Sequence, residues 1–414
     1  MDSEAELLAR ARRYSFRARM DSKSQRGEIA GPVFVSGQGS EVEDVTGKRW
    51  LDFNSGQMCA ALGHNHPTVT AAIREACDTL IHAHSSYFNV QEIRLAERLA
   101  RVMPEGLEKS LFLQSGSDAN EAAGSLTFAG WHKEHGPLPS GSQAIVAPYC
   151  YRCPLRQTFP ACNYACLDTS FELIDAQSTG RPAAVLTEPL FSAGGVIEPP
   201  PGWLKRLQEL CSARGMLLIL DEEQTGLGKL GTMFACDAEG VVPDMITVAK
   251  HFGGGISISA VTTSAAIEEK VVESGFINTH SHSNDPLACA AGIASLDVIE
   301  GEDMPAKARA IGDRFKGHLG ALAQRYEQIG DVRGRGLLLG IELVEDRHSR
   351  KPAYALGQAV YRYCFERGLI FSQRRQGSVL RFVPPMTTSE AQLDRAAQLL
   401  DDAFTAALQG KVKA

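Results

Sequence analysis

The sequence predicts an α/β protein, with a large domain built on a mostly parallel sheet and a smaller α+β domain. Three observations carry this. Short apolar runs alternate with amphipathic helical patterns through the middle of the chain. One run, MLLIL at Met216–Leu220, is apolar throughout, as a strand buried on both faces requires. Beyond about residue 305 the texture changes to helical segments around Gly-rich strands. The expected division is a large domain over 50–305 and a small domain over 1–49 and 306–414.

Taken in order, MDSEAELLARARRYSFRARM has no apolar h-region, so a secretory signal is not expected. Its arginines suit a transit peptide, but Asp2, Glu4 and Glu6 favour an amphipathic surface helix. Lys109–Leu113 (KSLFL) and Ala183–Leu186 (AAVL) read as strands. Trp203–Arg214 reads as a helix with Trp203, Leu207 and Leu210 on one face, and Gly215 stops it. Met216–Leu220 is the buried central strand, and Met245–Val248 is another. Helical segments at 306–325 and 389–408 flank GDVRGRGLLLGIEL and the strand SVLRFVPP.

Composition narrows the function. A net charge of −7 over 414 residues argues against nucleic acid as a partner. No apolar run reaches the ~18–20 residues that span a bilayer, so no membrane insertion is expected. Four of the ten cysteines cluster as Cys150-x2-Cys153-x8-Cys162-x3-Cys166. A zinc knuckle and a Cys-rich loop in a reducing cytosol both fit that spacing.

In open parallel sheets, ligands sit beyond the carboxyl ends of the strands. After KSLFL comes Gln114-Ser115-Gly116-Ser117-Asp118, then a helical pattern, which suits either an anion site or a plain capped turn. After MLLIL comes Asp221-Glu222-Glu223-Gln224. Consecutive strand residues face opposite ways, so three acids in a row do not easily converge on a metal. Gly226-x-Gly228-x-x-Gly231 matches a dinucleotide fingerprint formally, but no helical pattern opens behind it. After MITVA comes Lys250, then His251-Phe252-Gly253-Gly254-Gly255. An amine at the end of an apolar strand is desolvated, which favours its neutral, nucleophilic form.

These motifs resemble the class III (ornithine-type) aminotransferases, and within that family the 2,2-dialkylglycine decarboxylase branch. The resemblance runs from about Trp50 to Pro385 through LDFNSGQMCAALGHNHP, SGSDANEAA, LTEPLFSAGG, LILDEEQTGLGKLGTMFAC, TVAKHFGGG and SHSNDPLACAAG. It implies fold type I of the pyridoxal 5'-phosphate (PLP) enzymes, with a three-layer αβα large domain, and a cytoplasmic homodimer with a shared active site. Lys250 matches the lysine that carries PLP, Asp221 the acid on the ring nitrogen, and Gln224 the residue near the ring oxygen. Ser115, Gly116 and Ser117 match the phosphate cup, and Ser281 a hydroxyl reaching it from the partner subunit. Glu188 falls in the TEP motif at the site wall. Arg381 matches the arginine that grips a substrate carboxylate. Gln57 matches a glutamine that orients a scissile carboxylate. Asp285 and Ser85, with the carbonyls of Ala83, Ser281 and Ser283, match an alkali-cation (K+ or Na+) site. Two departures stand out. Glu223 replaces a small apolar residue against the ring face. The interval that normally carries an aromatic ring over the cofactor is short, with Trp131-His132 the nearest remnant.

The implied activity is transfer of an amino group from an amino acid or amine to a keto acid, with coupled decarboxylation as a variant. The alternatives are an amino-acid epimerase, which needs a second acid/base opposite Lys250, and a non-catalytic PLP-fold protein.

Overall fold

The computed structural model describes residues 2–15, 32–123, 141–178, 182–275 and 280–412. Trp131 and His132 lie outside the described residues. The chain forms two units, one of Met1–His66 with Lys307–Ala414 and one of Pro67–Ala306.

The Pro67–Ala306 unit holds a five-stranded sheet in the order Lys109–Leu113, Ser259–Thr263, Met245–Val248, Leu217–Asp221, Ala184–Thr187. The last three strands run parallel, and Ser259–Thr263 runs antiparallel to both of its neighbours. Leu218, Ile219 and Leu220 are buried, as the apolar run requires of a central strand. Asp221 closes that strand in register with Thr247 on the next one. Because the two strands are parallel, Asp221 and Lys250 emerge at one edge of the sheet. The helix Trp203–Ser212 buries Trp203, Leu204, Leu207, Leu210 and Cys211, the stripe expected of an amphipathic helix. Gly226–Gly231 forms turns, not a helix.

The other unit carries two four-stranded sheets. Its Gly-rich segment is a hairpin of Ile329–Arg335 and Leu338–Leu343, and Val379–Phe382 pairs antiparallel with the second of these strands. The helices Tyr354–Glu366 and Glu390–Leu408 bury Val360, Phe365, Leu400 and Phe404 in one core with Phe53, Phe315 and Phe382. The helix Glu4–Tyr14 buries none of its residues and is held by a Ser3–Glu6 capping box. Among the described residues, no helix is long and apolar enough to cross a membrane.

Candidate functional site

At the carboxyl edge of the parallel strands, an amine and two carboxylates meet. Lys250 opens a 3-10 turn directly after Met245–Val248 and has φ 58°, a left-handed backbone unusual for lysine. Its Nζ lies 2.7 Å from Glu223 Oε2. Asn120 Nδ2 donates to Asp221 Oδ2 at 2.9 Å and to Glu223 Oε1 at 3.0 Å. Thr247 Oγ1 donates to Asn120 Oδ1 at 2.9 Å, which fixes the amide's orientation. The two-residue period of an extended chain explains the split of the three acids. Asp221 and Glu223 face the site, whereas Glu222 turns into the protein, accepting from Cys236 N at 3.0 Å and from the Thr225 hydroxyl.

Asp221 retains some exposed surface, but its carboxyl is enclosed. Burial, then the charge of Glu223, pushes its pKa up to about 7, and the Asn120 hydrogen bond pulls the other way. Asp221 is therefore only partly ionised at neutral pH. Glu223 lies directly over the Ser115–Ser117 turn, since a Cβ on Gly116 would meet its Oε2 at 1.8 Å. A side chain there would have to push the Glu223 carboxylate aside. Ser115 caps the helix Gly116–Ala122, its hydroxyl donating to Asp118 Oδ2 at 2.8 Å. The plain capped turn and the small-residue cup thus coexist. Gln224 is half-buried in the turn after Asp221. Glu188 ends the Ala184–Thr187 strand, and its Oε2 accepts from Ser192 N at 3.1 Å. His251 is buried with Nε2 3.1 Å from Leu227 O, and burial holds its pKa well below the usual histidine range, so it is neutral.

The proposed cation ligands are differently partnered. Asp285 Oδ1 lies 2.6 Å from His82 Nδ1, and Oδ2 lies 2.7 Å from His282 Nδ1. Among the described residues, no hydrogen bond joins Asp285 to Ser85 or Ser281. Three ligand atoms from His82, His282 and Asp285 fall within 4.8 Å of one another. Imidazoles suit borderline metals, not the hard alkali cation that an oxygen shell of Ala83, Ser281 and Ser283 would select. Ser283 is buried, and Ser281 is exposed in the turn before the helix Pro286–Gly301.

In the other unit, Gln57 is exposed on a kinked turn in which Ser55, Gly56 and Met58 all have positive φ. Asp52 anchors that turn, accepting from Asn54 N at 2.9 Å and Gly56 N at 2.6 Å. Ser55 Oγ donates to Val383 O at 2.6 Å. Arg381 is buried on Val379–Phe382, and its Nε donates at 2.9 Å to Ser372 Oγ on the paired strand. Sequence reading missed Asn120, Thr247 and the His82–His282 approach. Asn120 lies one helical turn after Gly116, a spacing that places it over the same end of the sheet.

The sequence pattern of the aminotransferase class-III family matches residues 24–149 and 129–404. An uncharacterized aminotransferase of Schizosaccharomyces pombe is 37% identical over 410 residues, spanning 92% of this chain and 92% of that protein. A leucine/methionine racemase of Thermococcus litoralis is 34% identical over 436 residues, spanning 97% of this chain and 96% of that protein. A PLP-bound amine transaminase from an uncultivated Pseudomonas species superposes with a TM-score of 0.85 at 29% identity, covering 92% of this chain and 96% of that one.

Proposed function

The chain belongs to the class-III aminotransferase family, a PLP-dependent transaminase with the fold of that family, and on this premise we propose that it transfers the amino group of an α-amino acid to a keto acid, with PLP held on Lys250. The observation that carries the reading is the Lys250–Glu223–Asn120–Asp221 chain of contacts at the sheet edge. The cofactor fits these residues. An amine follows one strand, an acid ends its neighbour, and the small residues Ser115, Gly116 and Ser117 open a helix at the end of a third. When bound, PLP supplies an electron sink for charge developing at the substrate's α-carbon. In this reading Lys250 carries a proton to and from that carbon. Asp221 keeps a proton at the ring nitrogen, Asn120 orients both carboxylates, and Gln224 borders the ring. Ser115, Gly116 and Ser117 cradle the phosphate, with Ser281 of a partner subunit reaching toward it in a homodimer. Arg381 holds the substrate carboxylate through its planar fork. The Glu223 carboxylate occupies the space over Gly116, so a phosphate cradled there requires that side chain to swing away.

Two variants of this reading have separate support. A racemase is favoured by the Thermococcus relative; Glu223 lies on Lys250 itself, 2.7 Å from Nζ, and does not supply the opposite acid/base that racemisation needs. Decarboxylating transfer rests on the match of Gln57 in SGQM, and the histidine partners of Asp285 weaken it. One set of incubations separates the three. With an L-amino acid and pyruvate, transamination forms alanine and a new keto acid. Racemisation instead brings solvent deuterium into the α-position with no keto acid. Release of CO2 and acetone from 2-aminoisobutyrate marks decarboxylation. None of these with any donor would leave only the non-catalytic alternative.

A further inference from the structure

We infer that Cys150, Cys153, Cys162 and Cys166 form a tetrathiolate site for one structural zinc ion, carried on the loop that leads into the helix Ala165–Gln177. The four cysteines are spread over seventeen positions, yet they line one small cavity of about 20 Å³ together with Tyr149 and Phe159. That volume holds a single atom or water and is too small for a cluster. Its walls are almost wholly apolar apart from the sulfurs, so a water there would lack the two or more polar partners it needs. The sulfurs are the natural donors for a soft-to-borderline cation, and none of them is in a disulfide.

A second observation points at the same ligand. Trp203 is fully buried, its indole N–H makes no hydrogen bond among the described residues, and the Cys166 side chain lies beside it. A thiol is a weak acceptor, so the buried donor is poorly satisfied unless Cys166 is ionised. A metal ion ionises its thiol ligands outright, and N–H···S bonds from the surroundings then steady them. The backbone gives the same picture. Between Gly141 and Tyr164 the only regular element is the 3-10 turn Cys150–Arg152, with further single hydrogen bonds such as Arg156 N to Cys153 O and Cys162 N to Thr158 O. A stretch this long and irregular needs a staple to hold one shape. No three of the sulfurs lie within 4.8 Å of one another among the described residues, so closing a tetrahedral shell draws them inward over the cavity.

The test is elemental analysis of the purified, PLP-loaded protein, together with mercurial titration of its thiols against a zinc-binding dye. The expected result is one zinc per chain, released as the thiols of the loop are modified. Cobalt(II) in its place should give the d–d bands of a tetrahedral thiolate site. A C150S/C166S variant should lose the zinc, whereas Cys77→Ser, outside the loop, should keep it. Should the double variant fail to fold, Trp203→Phe serves instead. It should keep one zinc but release it to a competing chelator about 10–100-fold more readily. Absence of zinc from the wild-type protein, disulfides among these four cysteines, or acid-labile sulfide with iron would each overturn the inference.

Discussion

Arg333 and Glu342 meet at 2.6 Å within one hairpin, and Lys250 and Glu223 meet at 2.7 Å across the ends of two parallel strands. The first pair is regular in every respect. Asp331 stands directly opposite Glu342 in the ladder, and Arg333 Nη1 reaches both acids, cancelling what would be a like-charge clash. Both members are buried, Glu342 completely. The second pair is irregular. Lys250 has a left-handed backbone and keeps 22% of its side chain exposed, and its partner shares an amide with a second carboxylate. A buried ion pair on ordinary backbone holds a structure. One with a strained, accessible member and a competing acid is poised to exchange protons and partners.

That contrast can be broken by substitution. The largest effect is expected from Lys250→Ala, which should lower transamination by at least ~10⁴-fold while leaving thermal stability near wild type. A stable but active variant would sink the assignment of Lys250. Arg333→Met should do the reverse. Removing one partner of a buried pair costs about 3–5 kcal/mol. Urea titration should detect that loss, and the protein that remains folded should keep its kcat.

Glu222 gives an intermediate case. Burial raises its pKa from 4.5 to about 7. The folded state therefore binds the proton more tightly than the unfolded chain does. The stabilisation is fully present below pH 4.5 and is lost as pH rises through about 7, amounting to on the order of 3 kcal/mol. Glu222→Gln keeps partners for Cys236 N and Thr225 and should flatten this dependence. Denaturation midpoints between pH 4.5 and 8 check it, and an unchanged slope in the variant would contradict it. The smallest effect is expected from Glu223→Val. It removes a negative charge beside Asp221, so the carboxyl transition of Asp221, followed by difference infrared spectroscopy of the cofactor-free protein, should move to lower pH. PLP should also be retained roughly tenfold more tightly on dialysis, about 1.4 kcal/mol. A transition that stayed in place would show that Glu223 does not face Asp221's charge.

Much of the fold was legible because its determinants are local. The apolar run before Asp221 and the helical stripe of Trp203, Leu207 and Leu210 are short-range patterns, and each appears within a residue or two of its expected bounds. That Lys250 and Asp221 emerge at one edge was legible for a related reason, since each follows or ends an apolar strand and parallel neighbours finish at one edge. What stayed hidden depends on distant residues meeting. Asn120 looks like any solvated helical polar residue until the strand ends are placed beneath it. His82 and His282 are two hundred positions apart, yet their rings meet at 5.3 Å and both bond Asp285. Glu223 was visible as an odd substitution, but its bond to Lys250 was not.

The central claim is that Lys250 carries the cofactor. Borohydride reduction of the purified protein, followed by proteolysis and mass spectrometry of the peptides, tests it most directly. A pyridoxyl-phosphate adduct on the peptide containing Lys250, with loss of the visible absorbance band on reduction, is the predicted result. An adduct on another lysine, or a band that survives in Lys250→Ala, would contradict it.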